Sequence, residues 1–277
     1  MTESASIWRD VCRIRQTAPL VLNLTNQVVT NVTANALLAL GASPLMSASG
    51  EEQDELLDLA QSLVLNIGTL NRDQIEIMFQ AGKTARAKGV PIVLDPVGAG
   101  ASALRTRTAL ELMEHLRPEI VRGNGSEILA MAGSAGTAKG VDSRHSSFQA
   151  LAGAMGLSRH YGCAFAISGP VDVITDGQRQ WKVANGHPLM AKVTGMGCTA
   201  TSLIGAFAVV NPEPALAALH GMAFTGVCGE RAASRSHGPG SLQVHVLDQL
   251  HLCRQSELTE SVRIELMDGP DSGSPET

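Results

Sequence analysis

The stretch SLVLNIGTLNRDQIEIMFQAGKTARAKGVPIVLDP, residues 62–96, carries the clearest indication of the fold class. Its two ends, SLVLNIG (62–68) and PIVLDP (91–96), are short aliphatic runs bounded by turn residues, which is typical of buried strands. The segment between them, residues 71–89, has helical spacing and ends on Gly89, a residue suited to a left-handed helix C-cap. The stretch therefore predicts a strand–helix–strand unit with parallel strands.

The same alternation extends along most of the chain. A helical pattern fills residues 28–40, and further strand-like runs lie at 19–25, 43–47, 119–124 and 164–169. Residues 170–185 differ, because two short strand patterns flank a DG turn there and predict a hairpin. Beyond residue 197 the pattern is mostly helical. The sequence thus predicts an α/β fold, with a mostly parallel sheet covered by helices on both faces.

The domain organisation follows from what interrupts this pattern. No linker and no internal repeat divides residues 1–267, so we expect a single domain over that range. The last ten residues, DGPDSGSPET (268–277), are polar and rich in turn formers, and they predict a disordered tail.

The composition excludes several classes of function. With 3% aromatic residues and a net charge of −5, the chain lacks the stacking rings and the basic surface of a nucleic-acid binder. It has no apolar run of 18 residues and no N-terminal signal peptide, so we expect neither a membrane span nor secretion. Its five cysteines (Cys12, Cys163, Cys198, Cys228, Cys253) are widely spaced and form no CxxC, which predicts free thiols in the cytoplasm.

Small polar or charged side chains end nearly every predicted strand. In an open parallel sheet the ligand crevice lies outside the carboxyl ends of the strands, where Asp95, Arg122 and Glu127 would meet. Such a set suits magnesium and phosphate, with Glu127 contacting the metal through water. A structural explanation remains open, because Asn124 and Glu127 also have the spacing of a helix capping box.

The segment VTGMGCTA (193–200) allows three interpretations. GMGCTA matches the dinucleotide pattern GxGxxA, but it comes late in the chain and precedes helices, which argues against that site. No GxxxxGK[ST] occurs, so the P-loop is excluded. The remaining interpretation is a glycine turn that opens a helix, whose free N–H groups and positive dipole end suit an anion.

The ordered motifs DPVGAGA, RGNGSEI, NGHPLM and VTGMGC resemble those of the hydroxyethylthiazole kinase family. LNLTNQVVTNVTANALLALGASPLMS and NIGTL fit the same family, so the resemblance runs from about Pro19 to about Gly240. It implies a three-layer ribokinase-like fold and a homotrimer with active sites at subunit interfaces. It also implies ATP- and magnesium-dependent phosphorylation of the primary alcohol of 4-methyl-5-(2-hydroxyethyl)thiazole, in thiamine salvage.

Carried over position by position, the resemblance implies a role for eleven residues of this chain. It places the thiazole alcohol at Met46, Gly195, Asn26 and Gly68, and ATP at Arg122, Ser168 and Asn124. It places the metal at Asp95 and Glu127, and the reacting centre at Cys198, Gly195 and Gly197.

The chain departs from the family's usual pattern at four positions. Met196 stands where the family usually has Thr, Gly125 where it has Ala, Ser168 where it has Thr, and Leu22 where it has His. Ser168 keeps the hydroxyl for an ATP contact. Met196 loses a hydroxyl beside the phosphate path, which implies a change in rate more than in reaction type. Leu22 is expected to alter the lining of the pocket.

The role of Cys198 is a hypothesis of its own. A helix N-terminus lowers a thiol pKa and nearby phosphates raise it, so a thiol at this position is a candidate weak base for the attacking hydroxyl. The alternative is a small residue that fits a tight helix start. His187 in NGHPLM is a second candidate, for which a turn role is an equally good interpretation.

Three rival functions remain to be separated. The nearest is a kinase of the same fold that acts on another alcohol, such as a hydroxymethylpyrimidine. A thiol hydrolase would need a base within reach of Cys198 and an oxyanion hole, and no transferable Cys/His signature is present. A catalytically silent binding module is disfavoured by the joint presence of Asp95, Glu127, Arg122 and the glycine turn.

Overall fold

A computed structural model describes residues 2–133 and 147–267 of the chain. Within these ranges one sheet contains nine strands. In chain order they are β1 (Leu20–Leu24), β2 (Ser43–Met46), β3 (Ser62–Asn66), β4 (Ile92–Asp95), β5 (Ile120–Asn124), β6 (Ala164–Ser168), β7 (Asp172–Thr175), β8 (Gln180–Val183) and β9 (Ile264–Leu266).

The helices lie between the strands and, in the last quarter of the described chain, follow one another directly. They are α1 (Glu3–Thr17), α2 (Thr30–Leu40), α3 (Gln53–Leu59), α4 (Arg72–Lys88), α5 (Ala103–Leu116), α6 (Gly125–Met131), α7 (Ser147–Tyr161), α8 (Met196–Val210), α9 (Pro214–Ala233), α10 (Pro239–Leu252) and α11 (Gln255–Ser261). A short 3₁₀ helix, Pro188–Lys192, precedes α8.

The sheet is parallel on one side and antiparallel on the other. Its order is β2-β1-β3-β4-β5-β6-β7-β8-β9. The strands from β2 to β6 pair in parallel, and β7, β8 and β9 add as antiparallel neighbours. The predicted hairpin is confirmed as β7 and β8, which are joined in register from Asp172–Val183 to Thr175–Gln180.

Helices cover both faces of the sheet, as the sequence predicts. On β3, Val64 belongs to the hydrophobic cluster that includes residues of α1, α2, α8 and α9, while its neighbours Leu63 and Leu65 belong to the cluster that includes residues of α3, α4 and α5 on the opposite face. The alternation of side chains along a strand explains this division, because consecutive residues point to opposite faces. The result is the expected three-layer α/β architecture, with an almost entirely aliphatic core.

The ends of α4 confirm the interpretation of the opening stretch. Asn71 caps its start by accepting a hydrogen bond from the Gln74 N–H, and Gly89 closes it at φ +69°, in the left-handed region. Two elements lie outside the predicted pattern, namely α1 and β9. The strand β9 has three residues and half-exposed or exposed side chains, so it carries no hydrophobic period that a sequence reading could find.

Two sequence predictions have limited structural counterparts. The predicted disordered tail, residues 268–277, lies outside the described residues. In the part of the chain that is described, no helix has both the length and the apolar character that crossing a bilayer requires.

Candidate active site

The polar residues at the carboxyl ends of the parallel strands lie along one edge of the sheet. The register aligns Asn66 at the end of β3 with Asp95 at the end of β4, and Asn124 at the end of β5 with Ser168 at the end of β6. The first turn of α8 lies against the same edge, since its Thr201 bonds to Asp95 and its Gly197 lies against Arg122. The crevice that the topology predicts therefore contains most of the sequence candidates.

Asp95 is the most deeply buried of these side chains. Its Oδ2 accepts hydrogen bonds from Asn66 Nδ2 and from the Thr201 hydroxyl, each at 2.8 Å. Its Oδ1 has no partner among the described residues and is shielded from solvent. Burial raises the pKa of Asp95, and the Arg122 guanidinium offsets part of that effect. An oxygen with no partner in such a place leaves a buried acceptor for an incoming ligand.

Glu127 forms the capping box that the sequence left open, and it does more than cap a helix. Its N–H donates to Asn124 Oδ1 over 2.9 Å, and its Oε2 accepts from the Asn124 N–H over 2.7 Å. Its Oε1 accepts from the Gly98 N–H over 2.8 Å, which ties α6 to the loop after β4. Burial, and then the nearby Asp95 carboxylate, raise the pKa of Glu127 to about 7.

Each of the two glycines of VTGMGC is required at its position for a different structural reason. Gly195 precedes α8 at φ +84°, where residues with a Cβ are strained, and a Cβ there would also lie 2.7 Å from Val29 Cγ1. Gly197 leaves room for the Arg122 guanidinium, which an added Cβ would overlap. Met196, one of the four departures from the family pattern, begins α8 and packs half-buried against the hydrophobic core. The segment therefore presents backbone N–H groups next to a fixed cation.

Arg122 and Ser168 are brought together across β5 and β6. Arg122 Nη2 donates to the Ser168 hydroxyl over 2.6 Å, and the buried Arg122 Nε has no partner among the described residues. The third ATP candidate, Asn124, uses its side-chain oxygen to cap α6. That oxygen is thus engaged within the protein, and the ATP role of Asn124 stays a prediction.

The Cys198 thiol lies in the first turn of α8 beside two amide side chains. Its Sγ accepts a hydrogen bond from Asn26 Nδ2 over 3.5 Å, and the same Nδ2 donates to Asn66 Oδ1 over 2.8 Å. Burial, and then the Asp95 carboxylate, raise the pKa of Cys198 to about 12. Neither of these causes is one of the two influences considered from the sequence, and together they keep the group a protonated thiol at neutral pH.

The candidates for the alcohol side fall into two groups. Gly68 packs directly on Asn26, so that an added Cβ would lie 2.6 Å from Asn26 Nδ2, and the Gly68 N–H donates to Asn66 Oδ1 over 3.0 Å. Met46 ends the neighbouring edge strand β2, level with Asn23 of β1, and its side chain is half-buried. Asn26 and Gly68 thus belong to the Cys198 network, whereas Met46 stands at its margin.

Two residues singled out from the sequence prove to be structural. His187 Nδ1 accepts a hydrogen bond from the Leu189 N–H over 3.2 Å and caps the 3₁₀ helix, which is the turn role. Leu22 is fully buried in the core between the sheet and the helices α3 and α4. The expectation that Leu22 alters the pocket lining is therefore wrong, because alternation along β1 points it into the core.

The structure also adds residues that the sequence reasoning missed. Thr201 holds Asp95, and its position four residues after Gly197, one helical turn away, is a signal that could have revealed it. Arg105 bonds to the loops after β3 and β4, and Asp172 is a carboxylate whose pKa is raised by burial, an effect that the Gly169 N–H and Arg122 partly offset. Neither has a sequence signal, because both depend on where distant loops meet.

A dinucleotide site finds no support in this arrangement. After α8 the chain continues directly into α9, where a dinucleotide motif requires a strand ending in an acid. The acidic residue in question, Glu213, instead forms an ion pair with Arg179. The glycine turn is thus a helix start that lies beside the buried Asp95, which leaves the anion-binding interpretation of this segment as the remaining prediction.

Comparison with known proteins shows close relatives over nearly the whole chain. The sequence model of the hydroxyethylthiazole kinase family matches residues 11–256. The chain is 52% identical over 264 residues to the hydroxyethylthiazole kinase of Nitratidesulfovibrio vulgaris strain Miyazaki F, covering 95% of this chain and 99% of that protein. It is 52% identical over 250 residues to that of Granulibacter bethesdensis, covering 90% and 91% of the two chains.

Solved structures give the same likeness at the level of the fold. The hydroxyethylthiazole kinase protein from Pyrococcus horikoshii OT3 superimposes with a TM-score of 0.88 at 38% identity, covering 95% of this chain and 100% of that one. The pyridoxal kinase from Staphylococcus aureus, in complex with AMP-PCP and pyridoxal, has a TM-score of 0.60 at 14% identity and covers 76% and 88%. A ribokinase-like superfamily protein from Enterococcus faecalis, at 13% identity and a TM-score of 0.59 over 84% and 86%, shares the fold.

Proposed function

This chain belongs to the hydroxyethylthiazole kinase family, and from that premise we propose that it transfers the γ-phosphoryl group of ATP to 4-methyl-5-(2-hydroxyethyl)thiazole. The acceptor is the primary hydroxyl, and the product is the thiazole phosphate used in thiamine biosynthesis and salvage. The observation that carries the proposal is the start of α8, where backbone N–H groups and Arg122 stand opposite the buried Asp95 and Glu127.

The donor side rests on charge and on hydrogen-bond donors. Phosphoryl transfer asks mainly for positioning and for neutralisation of charge on the transferred group. Arg122 is fixed by its bond to Ser168 and supplies a positive charge beside Gly197, while the first-turn N–H groups of α8 supply donors. We therefore assign ATP to Arg122, Ser168 and Asn124, with the γ-phosphoryl group at Gly195, Gly197 and Cys198.

The residues present fit a magnesium ion. In the described ranges no group of three or more His, Cys, Asp and Glu side chains is placed to hold a metal. Magnesium is commonly held by one or two carboxylates together with substrate phosphates, and Asp95 Oδ1 is a buried oxygen that lacks a protein partner. Both Glu127 oxygens already accept backbone N–H groups, which suits a contact through water. When bound, the ion would neutralise charge on the phosphates.

On the acceptor side, the chain's own residues orient the alcohol. We assign the thiazole alcohol to Met46, Gly195, Asn26 and Gly68, with its hydroxyl next to the Cys198 sulfur. Asn66 couples the two sides of the site, because it accepts from Asn26 and donates to Asp95. With a pKa of about 12, the Cys198 thiol is almost fully protonated at neutral pH, so catalysis rests mostly on the surrounding backbone and charges.

The test is incubation of the purified chain with ATP, magnesium and hydroxyethylthiazole, followed by mass spectrometry of the products. We expect thiazole phosphate and an equal amount of ADP, and a loss of at least about a hundredfold in kcat for Asp95→Asn. Turnover of a hydroxymethylpyrimidine in place of the thiazole would overturn the substrate. Ester hydrolysis without ATP would indicate a thiol enzyme, and binding without turnover a silent module.

The assembly and the location follow from the family resemblance and from the cysteines. We propose a homotrimer with active sites at subunit interfaces, built from a single kinase domain over residues 1–267, in the cytoplasm. Free cysteines throughout the described chain support a reducing compartment. Light scattering tests the assembly, since a trimer has three times the mass of the 29.0 kDa chain. A monomer or dimer at assay concentration would contradict it.

A further inference from the structure

Arg105, in the first turn of α5, reaches the backbone of two different loops. Its Nη1 donates to the carbonyl oxygens of Ile67 (3.0 Å) and Val97 (2.6 Å), and its Nη2 donates to that of Gly68 (2.8 Å). Ile67 and Gly68 follow β3, whereas Val97 follows β4. One half-buried guanidinium therefore joins the two loops that flank the centre of the site.

The rest of the first turn of α5 strengthens this junction. The Thr106 hydroxyl accepts from the Gly100 N–H over 2.8 Å, in the same loop as Val97. Gly98 lies so close to Arg105 that an added Cβ would be 3.0 Å from both its Cδ and its Nη1. The loop after β4 is thus held against α5 by two side chains and by close contact with the Arg105 stem.

Each loop leads directly to groups of the site. Gly68 packs on Asn26, whose Nδ2 donates to Cys198 Sγ on the acceptor side, and the Gly68 N–H donates to Asn66. Gly98 donates to Glu127, which leads to the carboxylates of the donor side. Arg105 stands between these two sides without a hydrogen bond to any of the residues assigned to substrate, apart from the Gly68 carbonyl.

We propose that Arg105 is a positioning residue for phosphoryl transfer, which holds the acceptor-side loop and the carboxylate-side loop at a fixed separation. The inference rests on the proposed function for its chemical meaning, since the two sides it joins are those of the alcohol and of the phosphates. In-line transfer depends on the distance between the two reacting groups, and a misplacement of about 1 Å costs roughly a hundredfold in rate.

The planar fork of arginine explains why this residue type is required. A guanidinium has five N–H donors in a rigid arrangement, so it serves carbonyls of two loops at once. A lysine ammonium is a compact charge that would reach one loop or the other. Arg105→Lys therefore keeps the positive charge but removes the bridge between the two loops, so it separates the effect of positioning from that of charge.

Arg107 provides the matched control two residues further along α5. Its side chain is exposed, and it approaches Glu111 within the same helix at 3.9 Å. Arg107→Met removes the same side chain from the same helix without touching either loop. A general effect on α5 would appear in both Met variants, whereas the proposed effect appears only at position 105.

The experiment compares Arg105→Met and Arg105→Lys with Arg107→Met in steady-state kinetics and in hydrogen exchange of the intact protein. We expect kcat per folded molecule to fall by roughly 10–100-fold in both position-105 variants, with KM values changed by no more than about threefold. Arg107→Met should match the wild type. Methylguanidinium added to Arg105→Ala should restore part of kcat, which a purely structural loss would not show.

Hydrogen exchange reports on the loops without any reaction. In Arg105→Met, peptides covering residues 62–70 and 95–102 should exchange at least about tenfold faster. The two loops are then no longer held by the guanidinium, so the bonds from the Gly68 N–H to Asn66 and from the Gly98 N–H to Glu127 open more often. Unchanged exchange in both segments would overturn the positioning role even if the wild type phosphorylates a different alcohol. Faster exchange with unchanged kcat per folded molecule, in an enzyme that turns over the thiazole, would overturn it as well.

Discussion

At position 198 a thiol lies between an amide that donates to it and a buried carboxylate that opposes its ionisation. Asn26 donates to the sulfur over 3.5 Å, whereas burial and Asp95 raise the thiol pKa to about 12. At neutral pH only about one thiol in 10⁵ would be ionised, so the side chain is a poor general base. Its proximity to the helix start is consistent with a contact to the reacting hydroxyl.

Cys198→Ala should therefore lower kcat by no more than about tenfold, below the 10²–10⁴-fold expected for an effective general base. Cys198→Asp, which introduces a stronger base at the same place, should preserve or raise kcat. The kcat values at saturating substrates provide the measurement. Cys163→Ala is the matched control, because it removes another buried thiol with a pKa of about 12, away from the site. A hundredfold loss in Cys198→Ala would establish the cysteine as the base.

Asp172, the first residue of β7, is a second carboxylate whose ionisation is controlled by its surroundings. Its Oδ1 accepts from the Gly169 N–H over 2.9 Å, and burial raises its pKa from 3.8 to about 7 despite that bond and the nearby Arg122. In the unfolded chain Asp172 loses its proton near pH 4, whereas in the folded protein it keeps the proton to near pH 7. The free energy of unfolding should therefore fall across this window.

Asp172→Asn removes this titration and keeps an acceptor for the Gly169 N–H. The difference in free energy of unfolding between the variant and the wild type should shift in favour of the variant as pH rises from 4 to 7, by at most about 4 kcal/mol. Above pH 7 this difference should stay constant. Urea unfolding at several pH values measures the difference. Asp176→Asn is a control in which the pKa shift has the opposite sign. Burial would raise the pKa of Asp176, but hydrogen bonds from Arg179 and Gln178 outweigh that effect and lower it. That variant should lose relative stability as pH rises, and equal pH slopes for both would contradict the assignment.

At the scale of the element, the start of α8 combines three requirements in a few residues. The chain must turn with a positive φ at Gly195, bring N–H groups to the crevice, and leave space for Arg122 beside Gly197. Thr201, one turn later, then fixes Asp95 and also bonds to the Gly197 carbonyl oxygen over 3.2 Å. The helix thus supports the buried carboxylate and is also the proposed anion site.

Gly197→Ala tests this dual use of α8. The added Cβ overlaps the Arg122 guanidinium, whose flexible end would move away and lose its bond to Ser168. The charge-assisted bond and fixed charge are worth about 1.5–3 kcal/mol, so kcat/KM for the nucleotide should fall by about 10–100-fold. Circular dichroism should show little change in Tm, because Ala is a better helix former than Gly.

The matched control is Gly156→Ala in α7, an exposed helical glycine whose added Cβ would contact nothing within 4 Å. It should keep wild-type kinetics and raise the free energy of unfolding by about 0.5–1 kcal/mol. A Gly197→Ala enzyme with unchanged kcat/KM would show that Arg122 tolerates the shift and that its position is not critical.

At the scale of the whole molecule, a buried polar cluster far from the crevice links the N-terminal helix to the α8–α9 junction. Asp10 Oδ2 lies 2.7 Å from His220 Nδ1 and accepts from Asn211 Nδ2, also over 2.7 Å. Burial alone would raise the pKa of Asp10, but the bonds from His220 and Asn211 outweigh it and lower the pKa. The cluster holds α1 against α9 within a mostly apolar layer.

Asp10→Ala should destabilise the fold without changing the chemistry. It leaves the buried His220 and Asn211 groups without an acceptor, which costs about 2–4 kcal/mol in the free energy of unfolding. Urea unfolding gives that energy, and kcat and KM measured well below the transition should equal those of the wild type. Arg13→Ala, at an exposed position of the same helix, should stay within about 0.5 kcal/mol of the wild type. An equal effect of both variants would contradict the role of the cluster.

Hydrophobic periodicity and turn residues act over short distances along the chain, so they predict the order of most strands and helices, although not α1 or β9. The sequence also predicts that Asp95, Asn124 and Ser168 end strands, with Arg122 two residues before Asn124, and hence that these residues lie near one edge of a parallel sheet. The Asn124–Glu127 capping box was visible for the same reason, since its partners are three residues apart.

The environment of each side chain, in contrast, depends on contacts between distant parts of the chain. Thr201 and Asp95 are 106 residues apart, Arg105 joins two loops, and Asp10 and His220 are 210 residues apart. The pKa of Cys198 and that of Asp172 depend on burial and on charges brought close by such contacts. Desolvation and Coulomb energies depend on distances in space, which no local pattern of residues encodes.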